Sequence, residues 1–209
     1  MSIPRIPAYA LPTASALLPN KVSWPLRKER AALLIHDMQD YFIQFYGRDN
    51  ALLEQVTTNM AAILAFCRAQ AIPVFYTAQQ AAQISQERAL LSDMWGNGIT
   101  GLTHLEGIVA ELAPIGSEQV LVKHRYSAFQ RSDLEAQLRA AKRDQLIICG
   151  IYANIGCLST AVDAFMRDIQ PFMVMDALAD FSKQEHLNAL HYTATKVGVV
   201  VDTKGVLSV

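Results

Sequence analysis

The sequence predicts a doubly wound α/β fold built on a parallel sheet. Short continuous apolar runs, such as residues 31–35, recur along the chain and alternate with segments whose apolar residues have helical spacing. A continuous apolar run is typical of a strand buried on both faces, as in a parallel sheet. Strands that alternate with helices indicate βαβ units. The 209 residues, 52% of them hydrophobic, suit one α/β domain with a full core.

Six strands are predicted, at residues 31–35, 73–77, 119–123, 145–150, 171–176 and 198–201. Helices are expected at residues 50–70, 104–112, 132–141, 158–169 and 182–195. Two of these helices begin with the spacing of a capping box, Ser132 with Glu135 and Ser182 with Glu185. Residues 1–28 contain five prolines, which favours an extended arm lying on the domain.

The composition excludes several classes of protein. The net charge of −1 gives no global basic field for nucleic acid or a membrane surface. No apolar run approaches the ~20 residues of a membrane-spanning helix, and the first residues lack the pattern of a signal peptide. Cys67, Cys149 and Cys157 have neither metal-ligand nor disulfide-framework spacing, and no histidine–carboxylate cluster is evident. We therefore expect a cytoplasmic protein with no cofactor and no metal.

Polar and charged residues collect at the predicted carboxyl ends of the strands. They are Asp37, Gln79, Lys123, the turn at residues 151–157, and Asp176. The ligand crevice of an open α/β sheet lies outside these ends. An acid, a lysine and a helix N-terminus there predict a site for an anionic substrate.

Two arginines and a tryptophan can extend this site. Arg88 and Arg125 are able to bind carboxylates, although a surface ion pair is the alternative for each. Trp95 lies beside two glycines in the long connection 80–101. Long connections in compact domains are often functional, so we expect either a binding loop or a Trp that only packs.

Cys157 has two interpretations. A cysteine at a helix N-terminus has a lowered pKa and is a candidate nucleophile. A cysteine is also a common small apolar filler. The spacing alone does not decide between them.

Six motifs, in order, resemble the isochorismatase family over nearly the whole chain. They are Leu-Leu-Ile-His-Asp-Met-Gln-Asp-Tyr-Phe (33–42), Tyr-Thr-Ala-Gln (76–79), Asp-Met-Trp-Gly-Asn-Gly (93–98), Lys-His-Arg-Tyr-Ser-Ala-Phe (123–129), Gly-Ile-Tyr-Ala-Asn-Ile-Gly-Cys (150–157), and residues 163–172 with 176–182. The chain resembles most the isochorismatase domain of siderophore synthesis, with the phenazine-pathway isochorismatases a near second.

The resemblance implies a three-layer α/β/α fold with a six-stranded parallel sheet. In the wider cysteine-hydrolase superfamily a nucleophilic cysteine lies in the turn after the fourth strand. Matching that turn places Gly156, and not Cys157, at the nucleophile position. The resemblance therefore implies that Asp37 and Lys123 are catalytic and that no covalent intermediate forms.

The implied reaction is hydrolysis of the enolpyruvyl ether of isochorismate to pyruvate and 2,3-dihydro-2,3-dihydroxybenzoate, with Asp37 as the general acid. The residues expected to contact this small dianionic substrate are Phe42, Gln79, Arg88, Trp95, Arg125, Tyr126, Tyr152 and Gly156. A homodimer is implied, and an aryl carrier protein is a candidate partner, with no carrier-protein domain expected within residues 1–209.

Departures from the family pattern leave alternatives open. Asn154 stands where the relatives commonly carry His, His124 where Trp is usual, and Gln80 and Asn97 where they carry Pro. One alternative is the same reaction on 2-amino-2-deoxyisochorismate, and another is a catalytically retired docking domain for a carrier protein. A nicotinamidase-like amidase using Cys157 would need a shifted turn and a metal site.

Overall fold

The structure, a computed structural model, describes residues 3–47 and 49–209. One six-stranded sheet runs through it, with the strands all parallel and in the order β3-β2-β1-β4-β5-β6. The strands are β1 Ala31–His36, β2 Val74–Ala78, β3 Gln119–Val122, β4 Gln145–Ile151, β5 Gln170–Ala179 and β6 Val199–Val201. The predicted parallel, doubly wound sheet is confirmed.

The α-helices are mostly short, apart from one long helix that follows β1. They are α1 Asp40–Ile43, α2 Ala51–Ala69, α3 Ser85–Arg88, α4 Leu90–Trp95, α5 Leu134–Ala140, α6 Leu158–Phe165, α7 Lys183–Tyr192 and α8 Thr203–Leu207. Single turns of other helix types lie at Ala14–Ala16, Gln44–Tyr46, Thr103–Leu105, Ala110–Leu112, Ala153–Cys157 and Thr193–Val197. No helix among the described residues is both long and apolar enough to cross a membrane.

The central strand β1 separates two hydrophobic cores. Ala31, Leu33 and Ile35 face a core shared with α2, whereas Ala32 and Leu34 face a core shared with α5, α6 and α7. All five side chains are at most 1% exposed. Burial of one Leu or Ile stabilises a protein by ~1.5–3 kcal/mol, so a strand between two cores needs apolar residues at every position. This is the physical origin of the continuous apolar run.

The predicted helix at 104–112 is wrong. Only its ends form single 3₁₀ turns, Thr103–Leu105 and Ala110–Leu112. Between them the chain bonds to the segment after β1: Gln39 and Ile108 form an antiparallel bridge, and Asp40 N–H donates to Gly107 O at 2.9 Å. Backbone groups that bond to the segment after β1 are no longer available for a helix.

The two predicted capping boxes have different outcomes. Ser182 is the N-cap of α7, and its Oγ accepts from Glu185 N–H at 3.2 Å, which confirms that signal. Ser132 is not the N-cap residue, because α5 begins only at Leu134 and Asp133 takes the N-cap position; Ser132 Oγ accepts from Leu134 N–H at 3.3 Å and donates to Ala128 O. Glu135 instead accepts hydrogen bonds from arginines outside the N-terminal turn.

Strand β5 is longer than predicted, which moves Asp176 away from the strand end. The strand continues to Ala179, so Asp176 lies inside it. Asp176 Oδ1 accepts from Thr203 N–H and from Thr203 Oγ, both at 2.8 Å, at the start of α8. The acid at the end of this strand is Asp180, and the expectation for Asp176 is wrong.

The proline-rich segment lies along the domain as an extended arm. Ile6 is buried in the α2-side core, and its N–H donates to Phe45 O at 2.7 Å. Asn20 pairs with both backbone groups of Val200 at 3.0 and 2.8 Å. Tyr9 Oη donates to Nδ1 of His186, a fully buried residue of α7, at 3.1 Å.

We expect His186 to make the protein sensitive to acid. Burial lowers the pKa of His186 to about 4, whereas an exposed histidine titrates near pH 6.5. Unfolding therefore takes up a proton between pH 6.5 and 4, and the stability present above pH 6.5 is lost as the pH falls through this window. His186→Gln should give a shallower loss in urea unfolding measured from pH 7 to 4.5. His191→Gln, in the same helix but partly exposed, is the control, and parallel curves for the His186 variant and wild type would contradict the assignment.

Candidate active site

Asp37 is held at the carboxyl end of the central strand in a left-handed backbone conformation, with φ of 53°. This conformation is uncommon for residues other than glycine, although Asp adopts it more readily than most. Asp37 N–H donates to Thr77 Oγ at 3.1 Å, and the Thr77 hydroxyl donates to Asp37 Oδ1 at 2.6 Å. Thr77 belongs to the neighbouring strand β2, so sheet pairing fixes the direction of the carboxylate.

Lys123 completes a buried ion pair with Asp37. Its Nζ donates to Asp37 Oδ2 at 2.6 Å, and the residues are 6% and 5% exposed. Lys123 N–H bonds to Ala78 O at 2.8 Å, which continues the pairing of β3 with β2 past the strand end. A buried ion pair must offset the desolvation of both charges, and loss of one partner leaves an uncompensated charge.

A cavity that is partly open to solvent lies over this pair. It sits where the strand order reverses between β1 and β4, the usual ligand crevice of such sheets. Of the residues that the sequence predicts for the site, Asp176 does not line it; the ones that do are Asp37, Phe42, Gln79, Arg88, Trp95, Lys123, Arg125, Tyr126, Tyr152 and Gly156.

One wall of the cavity is a stack of aromatic rings. Phe181 stacks on Tyr152 with centroids 4.3 Å apart and on Trp95 at 6.0 Å. Trp95 Nε1 donates to Tyr126 Oη at 2.9 Å, which fixes the indole in place. The predicted binding loop thus contributes its Trp to the cavity. The stack offers a flat apolar surface for a ring-shaped ligand.

Arg88 is a buried cation with neutral partners. It is 4% exposed, and it donates to Gln79 Oε1 at 3.0 Å and to Gly96 O at 3.1 Å. Burial lowers the pKa of its guanidinium. Among the described residues it has no carboxylate partner, so the predicted alternative of an ion pair is wrong for Arg88. A desolvated guanidinium that faces a cavity is suited to an anionic ligand.

Arg125 is partly exposed at the cavity and also lacks an acidic partner within the described chain. Its Nη1 donates to Glu87 O at 2.8 Å and to His124 O. These backbone bonds tie the segment after β3 to α3, which carries Arg88. The bond from Arg125 to the backbone of Glu87, the neighbour of Arg88, therefore fixes the position of one arginine relative to the other.

Cys157 is a core residue. It is fully buried in the core on the α5–α7 side, and it is absent from the cavity lining. Burial raises the pKa of its thiol well above the ordinary value, which is the opposite of the activation considered from sequence. Desolvation outweighs any effect of the helix start, so the apolar-filler interpretation holds.

The turn after β4 is held by an acid that the sequence analysis missed. Asp180 accepts hydrogen bonds from Asn154 N–H and Phe181 N–H, and it is fully buried. Burial raises the pKa of Asp180 to about 7. Asp180 was not predicted as a site residue because β5 was expected to end at Asp176.

Gln39 was also missed in its supporting role: its amide bonds both backbone groups of Gln79, at 2.7 and 2.9 Å.

Across residues 3–47 and 49–209, no three His, Cys, Asp or Glu side chains are grouped so that they could hold a metal ion. The acids and histidines near the cavity are instead engaged with lysine, hydroxyl and backbone partners.

Residues 31–205 match the isochorismatase domain family. The chain belongs to the isochorismatase family. It is 54% identical over 207 residues to enterobactin synthase component B of Escherichia coli K12, covering 99% of this chain and 73% of the relative. It is 47% identical to the isochorismatase of Bacillus subtilis, covering 99% and 66%, and 45% identical to phenazine biosynthesis protein PhzD of Pseudomonas fluorescens, covering 98% of each.

A solved structure agrees with the three-layer fold of this isochorismatase-family chain. A cysteine hydrolase from Pseudomonas syringae pv. phaseolicola superposes with a TM-score of 0.79 at 22% identity, covering 91% of this chain and 96% of the other. At this identity the likeness concerns the fold alone. The resemblance to the isochorismatase family, to its siderophore-pathway members and to its phenazine-pathway members is confirmed.

We expect Thr77→Val to destabilise the protein by ~1.5–3 kcal/mol, the usual range for a hydrogen bond to a charged group. Valine keeps the shape but leaves Asp37 N–H and Oδ1 buried without this partner. Thr77→Ser retains the hydroxyl and should lose less. Urea unfolding at pH 7 measures both, and equal losses for the two variants would show that the hydroxyl is unimportant.

Proposed function

We propose that the chain hydrolyses the enolpyruvyl ether of isochorismate to pyruvate and 2,3-dihydro-2,3-dihydroxybenzoate by general acid catalysis. The observation that carries this proposal is the buried Asp37–Lys123 pair beneath the cavity. None of the described residues that line the cavity bears a thiol or an aliphatic hydroxyl. The name of the Bacillus subtilis relative, isochorismatase, supports the substrate.

The charges around the cavity suit a dianion. Arg88, Lys123 and Arg125 line it, and Asp37 is the sole acid among the described lining residues. We assign the substrate's two carboxylates to these cations, with Gln79 orienting Arg88 through their 3.0 Å hydrogen bond. The six-membered ring of the substrate would lie against the aromatic wall.

The chemistry requires a proton on carbon. Asp37 donates a proton to the methylene carbon of the enol ether, which forms an oxocarbenium ion. Water adds to that ion and returns a proton to Asp37, and the resulting hemiketal collapses to pyruvate and the ring alcohol. An anionic substrate beside Asp37 would compete with its carboxylate for the ammonium group of Lys123.

A second substrate has specific support. Phenazine biosynthesis protein PhzD is similar over 98% of its length, and 2-amino-2-deoxyisochorismate carries the same ether and the same two carboxylates. The cavity cations therefore suit both compounds. Parallel assays of both ethers, compared by kcat/KM, decide which one the chain prefers.

We expect purified protein to release pyruvate from isochorismate, measured by coupling to NADH oxidation. Asp37→Asn keeps the side-chain shape but has no acidic proton, so it should lower kcat by about 10²–10⁴-fold. Cys157→Ala removes one buried sulfur away from the cavity and should retain most activity.

Both variants need circular dichroism to establish that they are folded. An inactive but folded Cys157→Ala enzyme would overturn the acid mechanism, and an active Asp37→Asn enzyme would remove Asp37 from it. Absence of pyruvate release by folded wild-type protein from either ether would refute the hydrolase proposal and favour the retired docking domain.

We expect activity to survive EDTA, because proton transfer from Asp37 and charge stabilisation by Lys123 need no metal. The measurement is pyruvate release before and after dialysis against the chelator. Loss of turnover that one divalent ion restores would contradict this expectation.

We expect a homodimer, on the basis of the family resemblance and the high apolar content. Several apolar side chains are solvent-exposed in the single chain, including Leu90 at 76% and Met166 at 68%. Light scattering at micromolar concentration should give about twice the 23.1 kDa chain mass, whereas a monomer mass would refute it. The cytoplasmic location and the aryl carrier protein as partner stay predictions.

A further inference from the structure

Gly156 and His36 share a volume that only one side chain can fill. A Cβ atom added to Gly156 would lie 2.1 Å from His36 Cε1, 2.8 Å from Nε2 and 3.0 Å from Nδ1. Contacts of this kind are far inside van der Waals separation. The whole imidazole ring, rather than one flexible atom, therefore occupies the place of a side chain at position 156.

His36 has no room to move aside. It is 0% exposed at the end of β1, and its Nδ1–H donates to Ile151 O at 2.8 Å. Its backbone pairs with Thr77 on one side and Gly150 on the other. A Cβ at Gly150 would lie 2.2 Å from His36 O, so the chain is already in close contact there.

The position that His36 blocks is chemically important. Gly156 lines the cavity together with Asp37 and Lys123, so a hydroxyl or thiol at 156 would stand beside an acid–base group and a cation. Such an arrangement activates a nucleophile. The imidazole itself supplies no charge: burial lowers the pKa of His36 to about 4, so it is neutral at pH 7.

We propose that His36 determines the reaction type by excluding any side chain, and hence any nucleophile, from position 156. The imidazole acts by volume and lies 3.7 Å from Asp37 Oδ2, where it also closes that side of the carboxylate. With the ether hydrolysis proposed above, this leaves Asp37 free to act as a proton donor, and that part rests on the proposed function. The exclusion itself is independent of substrate.

The first test is a thermal-unfolding cycle of Gly156→Ala, His36→Val and the double variant. Valine lacks the ring atoms that meet the Cβ at 156. Gly156→Ala alone should lower Tm by about 5–10 °C or fail to fold, as expected for overpacking. In the His36→Val background the same substitution should lower Tm by much less.

Gly107→Ala is the matched glycine control, because a Cβ there meets only Asp40 Oδ2 at an ordinary 3.5 Å. A Gly156→Ala protein as stable as this control would overturn the proposal. So would strictly additive effects of the two substitutions, or a double variant that remains unfolded in both the His36→Val and His36→Ala backgrounds.

The second test asks whether the vacated position can hold a nucleophile. In the His36→Val/Gly156→Cys protein the new thiolate should displace iodide from iodoacetamide, forming one S–C bond and giving one adduct by intact mass. Wild type and His36→Val should give none, because all three native cysteines are buried. A folded double variant without an adduct, or an equally reactive Gly156→Cys single variant, would refute the proposal.

These readouts separate the two proposals. Unfolding and alkylation need no substrate, so they succeed or fail whether or not the protein releases pyruvate. Non-additive effects of the Gly156 and His36 substitutions on Tm, together with no pyruvate release, would refute the ether hydrolysis alone. Pyruvate release together with additive effects of the two substitutions on Tm would refute the role of His36 alone.

Discussion

The ion pair between Asp37 and Lys123 is the constraint on which the site depends. Two charges at 2.6 Å are taken out of water, and their attraction offsets this desolvation only when the geometry is maintained. That geometry requires the ends of β1 and β3 to lie on either side of β2, which supplies Thr77 to the aspartate and Ala78 O to the backbone of Lys123. Strand order and ion pair therefore support one another.

Arg88, which also lines the cavity, is destabilising in a different way. Arg88 is a desolvated cation held only by neutral acceptors, an arrangement that burial alone disfavours. The two cores formed on β1 provide the stability that tolerates it. An anionic ligand would supply the missing countercharge, so the cost is recovered on binding.

Much of the fold and of the candidate site follows from the local pattern of apolar and polar residues in the sequence. Continuous apolar runs determine the buried strands, since a strand between two cores has no solvent face. Ser182 caps α7 as its spacing predicts. Residues that directly follow a strand, such as Asp37 and Lys123, are predictable as site residues because parallel strands bring their carboxyl ends to one edge. Arg88 and Trp95 could be named as candidates from their residue types in the long connection 80–101, but a connection without periodicity does not place them, so only the structure shows that both line the cavity.

The sequence by itself determined the parallel α/β class, the strands near the site and the chemistry at their ends, because these depend on local polarity and on chain order. Only the tertiary structure decided which distant residues form hydrogen bonds with one another and which side chains compete for the same volume. Residues 104–112 do not form an α-helix because Gly107 O and Val109 N–H bond to the segment after β1, and α5 begins at Leu134 with Asp133, not Ser132, at the N-cap. Asp180 and Phe181 entered the site because β5 runs further than its apolar core residues suggest. The shared volume of His36 and Gly156 joins residues 120 positions apart, and steric exclusion at that separation exists only once the chain has folded.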